Sequence, residues 1–165
     1  MTYTTSQLMN PQSTALSAVS IAIADFKRLS TDNQLGLLWT LYENMGHSIT
    51  PAATGAARLQ FAEGLLQQVQ AMPHQDQLQF MRDLVNQRST PETRAYGVLT
   101  NNTKLAFWYQ LAVLMDEGKV IPVPPSYEMS EDAIELFGQI STLEFGQQLT
   151  VMRQVVVGMG VDPLA

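Results

Sequence analysis

The chain contains no cysteine. A disulfide scaffold and a thiolate metal site are therefore excluded. It has two histidines, His47 and His74, each beside a predicted helix boundary, far apart and without metal-ligand spacing. Both read as surface residues. Charge is also scarce, at 15 % of residues, where about a quarter is usual in soluble proteins. Nine Lys and Arg are scattered along the chain, against a net charge of −6. No basic stripe exists to follow a phosphate backbone, so nucleic-acid binding is not expected. No stretch approaches the roughly 18 unbroken apolar residues of a membrane span. The start, Met1 to Thr5, lacks the charged head and apolar run of a signal peptide. These absences point to a soluble, cytoplasmic protein.

Catalytic signatures are missing too. There is no Gly-x-Ser-x-Gly, no Walker loop and no dinucleotide fingerprint. Asp25, Glu63, Asp83, Asp116 and Glu135 fall on different predicted helices, so no paired acid–base work is indicated. An enzyme is not expected. No segment alternates with period two, which predicts an all-α fold.

What the chain does have is apolar residues at helical spacing, 45 % of its 165 residues. That length suits one domain, 1–165, with a sizeable core. Residues 1–13 read as an N-terminal arm. The spacing predicts helices over Ala15–Leu29, Asn33–Met45, Ala52–Met72, Asp76–Arg88, Thr90–Leu99, a helix from Thr100 ending near Gly118, Ser130–Leu143 and Phe145–Met159. Ser30-Thr31-Asp32, Thr90-Pro91 and Ser130 read as N-terminal caps. Pro73 breaks the chain. Residues 119–129, with Pro122, Pro124 and Pro125, form an extended linker.

Two of these helices stand out. Leu105, Trp108, Tyr109, Ala112 and Met115 share one face of the first; Leu35, Leu38, Trp39, Tyr42 and Met45 share a face of the second. Both tryptophans thus lie on matching faces. The faces belong to an internal duplication of about 70 residues. Gln77-Leu78-Gln79-Phe80-Met81-Arg82 recurs as Gln148-Leu149-Thr150-Val151-Met152-Arg153, which predicts two similar halves about a pseudo-twofold axis. A cleft between helices where such halves meet is a natural binding site. The aromatic and methionine faces serve either as plain core or as the lining of a long apolar ligand. Arg153, between apolar neighbours, is either a snorkelling side chain or a recognition group for a carboxylate.

The pattern resembles the N-terminal helical domain of the cyanobacterial orange carotenoid protein, and in length the free-standing helical carotenoid proteins. The segments carrying the resemblance are Asp32 to Trp39 with Tyr42 and Met45-Gly46, Lys104 to Tyr109, and Gly146-Gln147-Gln148 through Met152-Arg153. The resemblance implies two interleaved four-helix bundles around a ketocarotenoid: canthaxanthin, echinenone or 3'-hydroxyechinenone. By motif, Leu35, Leu38, Trp39, Tyr42, Met81, Trp108, Met115, Val123 and Leu149 line its path, with Trp39, Tyr42 and Trp108 against a terminal ring. The implied function is photoprotective quenching of singlet oxygen. The alternatives are a phycobilisome-docking quencher of excitation at the thylakoid surface, and a carotenoid carrier. In two-domain relatives the arginine matching Arg153 pairs with an acidic residue of a C-terminal domain, and Asn102 matches an asparagine at that interface. No such domain is expected here, so light switching is not expected, Arg153 should be exposed, and a separate homologue of that domain is the implied pigment donor. A monomer or weak dimer is the expected state. Ala53-Thr54-Gly55 and Gln154 depart from the phycobilisome-docking pattern.

Overall fold

Thr100, Thr90 and Ser130 each hand a side-chain oxygen to a backbone N–H three residues on, at 3.3, 3.0 and 3.2 Å. These bonds satisfy donors that a helix start leaves unpaired and set where three helices begin. In the computed structural model, residues 11–45 and 60–164 are described, with side chains from Ser17 onward. Gly46, His47, Ala53-Thr54-Gly55, the opening of the third predicted helix and residues 1–10 lie outside the described residues.

The helices are α1 (Pro11–Arg28), α2 (Thr31–Met45), α3 (Gln60–Ala71), α4 (His74–Asn86), α5 (Pro91–Gly97), α6 (Asn101–Asp116), α7 (Glu131–Ser141) and α8 (Phe145–Val157). Among the described residues there is no strand, and the fold is all-α. The first helix begins at Pro11, within the segment read as an arm. Pro at a first helical position lacks only an N–H that has no partner there anyway. Gly118, with φ of 75°, closes α6 in the left-handed region that glycine tolerates.

The packing is two-fold in pattern. α1 packs on α7 and α8; its repeat counterpart α5 packs on α3 and α4. α2 packs on α4 and α7; its counterpart α6 packs on α8 and α3. α2 and α6, which correspond to each other, meet directly. Each half therefore lends helices to the other. The first two and last two helices form one four-helix bundle, and the middle four form the second. The shared core includes Phe26, Leu41, Tyr42, Leu84, Phe107, Leu111 and Met152, all essentially inaccessible. It is continuous across the two bundles.

Two buried polar groups tie separate segments together. Gln77 is fully buried; its Nε2 donates to Val69 C=O at 2.9 Å and Lys119 C=O at 3.4 Å. Its Oε1 accepts from the Ile121 N–H at 2.8 Å. The linker is thereby pinned onto α4. Lys104 is also buried; its Nζ lies 5.4 Å from the Tyr96 ring centroid and reaches Val157 C=O at 3.4 Å. Burial lowers its pKa. Ring and carbonyl give the ammonium partial replacement for water.

The ends of α2 and α6 carry a carboxyl pair. A hydrogen bond donated to Asp116 by the protonated carboxyl, then burial and the Asp116 negative charge, push Glu43 up to about 7 from its ordinary 4.5. The folded state therefore holds this proton more tightly than the unfolded chain. The resulting stability is complete below about pH 4.5 and is lost as pH rises through about 7. Urea midpoints are expected to fall between pH 5 and pH 8, and to fall less in Glu43→Gln. A midpoint difference as large in the variant as in the wild type contradicts the assignment.

Candidate functional site

A groove runs along the meeting line of α2 and α6, walled by α4 and roofed by the linker. Its residues come from the duplicated aromatic faces. From α2 it takes Leu35, Gly36, Leu38, Trp39 and Tyr42; from α6, Trp108, Ala112 and Met115; from α4, Leu78, Met81 and Arg82; from the linker, Ile121, Pro122, Val123, Pro124 and Tyr127. Its open volume is about 750 Å³ including the solvent-facing side. A shallower hollow shares Gly36, Trp39, Val123 and Tyr127 with it and continues past Thr40 and Met129.

Helical spacing explains the wall. Leu35, Leu38, Trp39 and Tyr42 fall at i, i+3, i+4 and i+7, so they stack on one side of α2. Gly36 lets the linker approach. A Cβ there would lie 2.6 Å from Tyr127 Cε1 and collide with its hydroxyl. Tyr127 Oη lies 3.1 Å from Asp32 C=O and 3.0 Å from Asn33 Oδ1, which ties the linker's far end to the start of α2.

Behind the wall, polar atoms are paired. Tyr42 Oη donates to Leu105 C=O at 2.7 Å. Trp108 Nε1 donates to Tyr96 Oη at 3.0 Å, and Tyr96 Oη donates to Val156 C=O at 2.6 Å. Burial raises the pKa of both tyrosines well above the usual phenol value, so they remain neutral donors. Trp108 is thereby fixed edge-on to Phe107, which in turn meets Tyr96 edge-on at 5.4 Å. Trp39 differs: its Nε1 is buried and has no acceptor among the described residues.

One mouth is charged. Arg82 grips Asp32 with two bonds, Nε to Oδ1 at 2.8 Å and Nη2 to Oδ2 at 3.0 Å. The hydrogen bond to Arg82 holds the Asp32 carboxyl below its ordinary range. The duplication carries Arg82 onto Arg153 and Asp32 onto Asn102. Those two also meet: Arg153 Nε donates to Asn102 Oδ1 at 3.0 Å. The two contacts correspond in position but not in charge. Asp32 neutralises Arg82, whereas Asn102 leaves Arg153 a full cation. Arg153 is half-buried rather than exposed, because this bond draws its side chain onto the start of α6.

Of the residues singled out by motif, the groove brings together Leu35, Leu38, Trp39, Tyr42, Met81, Trp108, Met115 and Val123. Leu149 lies elsewhere, half-buried on α8 against the core. It is the repeat counterpart of Leu78, which does line the groove. Asn102 and Arg153 meet each other away from this lining. Leu78, Arg82 and Tyr127 are lining residues that the sequence reading does not single out. The repeat carried a signal for the first two, because it maps Leu149 and Arg153 onto them; Tyr127 has no pattern to mark it. His74 is exposed at the start of α4, far from paired chemistry. Among the described residues no cluster of three or more His, Asp or Glu is placed to hold a metal, and no helix is long and apolar enough to cross a membrane.

Residues 12–162 match the model of the family described as orange carotenoid protein, N-terminal. The chain belongs to this family. Within it, an orange carotenoid-binding domain-containing protein of Nostoc sp. is 57 % identical over 148 residues, covering 90 % of this chain and 86 % of that protein. The solved red carotenoid protein of Anabaena (Nostoc) sp. PCC 7120, binding canthaxanthin, superposes with a TM-score of 0.77 at 37 % identity, covering 87 % of this chain and 99 % of that one. The orange carotenoid protein of the same organism, also binding canthaxanthin, gives 0.81 at 43 % identity over 88 % of this chain and 47 % of that one. The chain thus spans about half of that longer relative. Family membership accounts for the interleaved bundles as a shared architecture.

Proposed function

We propose that this protein binds a ketocarotenoid in the groove and acts as a photoprotective quencher of singlet oxygen without light activation. The observation that carries this reading is the wall itself. Two tryptophans, two tyrosines and two methionines from both halves converge on one largely apolar space, with the charged Asp32–Arg82 pair at its rim. Such a space suits a long, stiff, nearly hydrocarbon ligand. The bound polyene supplies the photophysics, accepting excitation and releasing it as heat. The chain's part is to hold it. Trp39 and Trp108 offer flat faces for a terminal ring, Met81 and Met115 adapt to the polyene methyls, and Ile121, Pro122 and Val123 exclude water.

Production in cells that make canthaxanthin or echinenone is expected to give an orange or red soluble protein that shortens the lifetime of photosensitised singlet oxygen in darkness-adapted and illuminated samples alike. Colourless protein from such cells contradicts the reading.

Arg153 favours a second role beside this one. Its guanidinium is held only by a neutral amide and forms no ion pair among the described residues. A half-buried cation of this kind suits an acidic partner, whether a phycobilisome or a separate homologue of the C-terminal domain that delivers pigment. Asn102 would orient it. Loss of phycobilisome fluorescence on adding pigmented protein supports docking; transfer of pigment to an apo-acceptor supports the carrier role.

A further inference from the structure

Between α6 and α7 the chain places three prolines in four residues, Pro122, Pro124 and Pro125. Proline has no N–H to offer, and the stretch 122–126 makes no hydrogen bond to any other element among the described residues. It is held only at its ends. At the inner end Val120 is fully buried, and the buried Gln77 bonds both Lys119 C=O and the Ile121 N–H. At the outer end one amide does most of the holding. Asn33 Oδ1 accepts from the Ser130 N–H at 3.2 Å and lies 3.0 Å from Tyr127 Oη, while its Nδ2 donates to Ser30 Oγ at 2.9 Å. Tyr127 is half-buried, and Pro122, Pro124, Pro125 and Ser126 are exposed. A segment tied by few, water-accessible contacts opens more readily than its surroundings. Val123 and Tyr127 face both the groove and the shallower hollow beside it. With Gly36 and Trp39, this stretch is therefore the partition between the two spaces.

We propose that residues 122–126 are a strap across the groove, released at its Tyr127 end to let the ligand pass sideways, with Asn33 as the latch and Gln77 as the fixed end. This deepens the carotenoid-binding reading above and rests on it. A long, stiff ligand reaches a groove endwise or sideways. At the strap's outer end, endwise entry passes the Asp32–Arg82 pair on the rim, where an apolar ring strips water from two charges. Lifting the strap joins groove and hollow into one open slot and leaves that pair undisturbed. Proline-rich extended chain is stiff, so freeing its outer end swings it as a unit. A latch acts on both rates. It holds the strap shut over the empty groove and over the filled one, so its loss speeds entry and exit alike and leaves the affinity where it was. A residue that only supports the bound ligand changes exit alone.

The test compares Asn33→Ala with the wild type, using canthaxanthin in detergent micelles at concentrations where the uptake rate is proportional to protein. Loss of the two contacts at Asn33 Oδ1 is expected to speed both uptake and release into excess empty micelles about 10-fold, with the equilibrium affinity unchanged. Asn33→Asp keeps the accepting oxygen and should behave as the wild type. Hydrogen exchange of the pigment-free wild type needs no substitution. After correction for intrinsic rates, the Ser130 N–H should open about 10-fold more often than the Ile121 N–H. Faster release alone in Asn33→Ala, rates unmoved by it, or equal protection of Ser130 and Ile121 each overturns the strap while leaving carotenoid binding intact. If Asn33→Ala fails to fold, the exchange comparison decides. Failure of the wild type to take up pigment at all overturns the carotenoid reading, and the strap's role with it.

Discussion

Replacing Trp108 with Ala is expected to cost about 3–5 kcal/mol of folding stability and to abolish pigment retention. Trp108 is 5 % exposed, packs edge-on to Phe107, and closes one side of the groove. Truncation removes the indole and leaves a void between α6 and α2. It also strips Tyr96 Oη of the donor it accepts from. Marginal stabilities of about 5–15 kcal/mol make such a loss a large share of the total. Trp108→Phe separates the two contributions. It keeps most of the volume and removes only the bond to Tyr96, so its stability loss should be near 1 kcal/mol with pigment retained. Urea denaturation of both variants, together with the ratio of visible to ultraviolet absorbance, measures both effects. A Trp108→Ala protein of normal stability and normal colour contradicts the role given to this residue.

Gln77→Leu should have the second-largest effect. A leucine fits the volume but leaves the Ile121 N–H without its acceptor, while Val69 C=O keeps only the Met72 N–H. The expected loss is about 1–3 kcal/mol, or a fall in Tm of roughly 5 °C. The linker that roofs the groove would also detach from α4, so bound pigment should dissociate faster. Gln148, the repeat counterpart, is the natural control. It is only half-buried and bonds to the carbonyls of Leu143 and Ser141 at the end of α7, at 2.9 and 3.4 Å. Gln148→Leu should cost less and leave pigment release unchanged. Equal losses at the two positions would show that the linker contacts are not what Gln77 contributes.

Much of this architecture was legible from periodicity, because an amphipathic helix writes its buried face at i, i+3 and i+4 regardless of its neighbours. The caps at Thr90 and Ser130 were legible for the same local reason. Leu35, Leu38, Trp39 and Tyr42 announced their common face directly, and the duplication led from them to α6. What spacing could not supply was contact between distant segments. Gln77 looks like any polar helix residue until the linker returns to cover it. Arg82 and Asp32 are 50 residues apart, and nothing in either segment names the other. The repeat did contain that information: the Arg153–Asn102 pair and the Arg82–Asp32 pair are one contact made twice, with an acid in one copy and an amide in the other. Tyr96 stayed hidden because its importance lies in its hydroxyl, which links Trp108 to Val156, and a hydroxyl leaves no trace in apolar periodicity.

The central claim is that both aromatic faces enclose one ligand. The protein has two tryptophans, Trp39 and Trp108, and both line the groove. Titrating pigment-free protein with canthaxanthin while recording tryptophan emission therefore reports on the groove alone. Emission is expected to fall almost to nothing at one equivalent, as the carotenoid absorbs energy from both indoles at contact distance. A coloured one-to-one complex with tryptophan emission largely intact would place the pigment elsewhere and contradict the account.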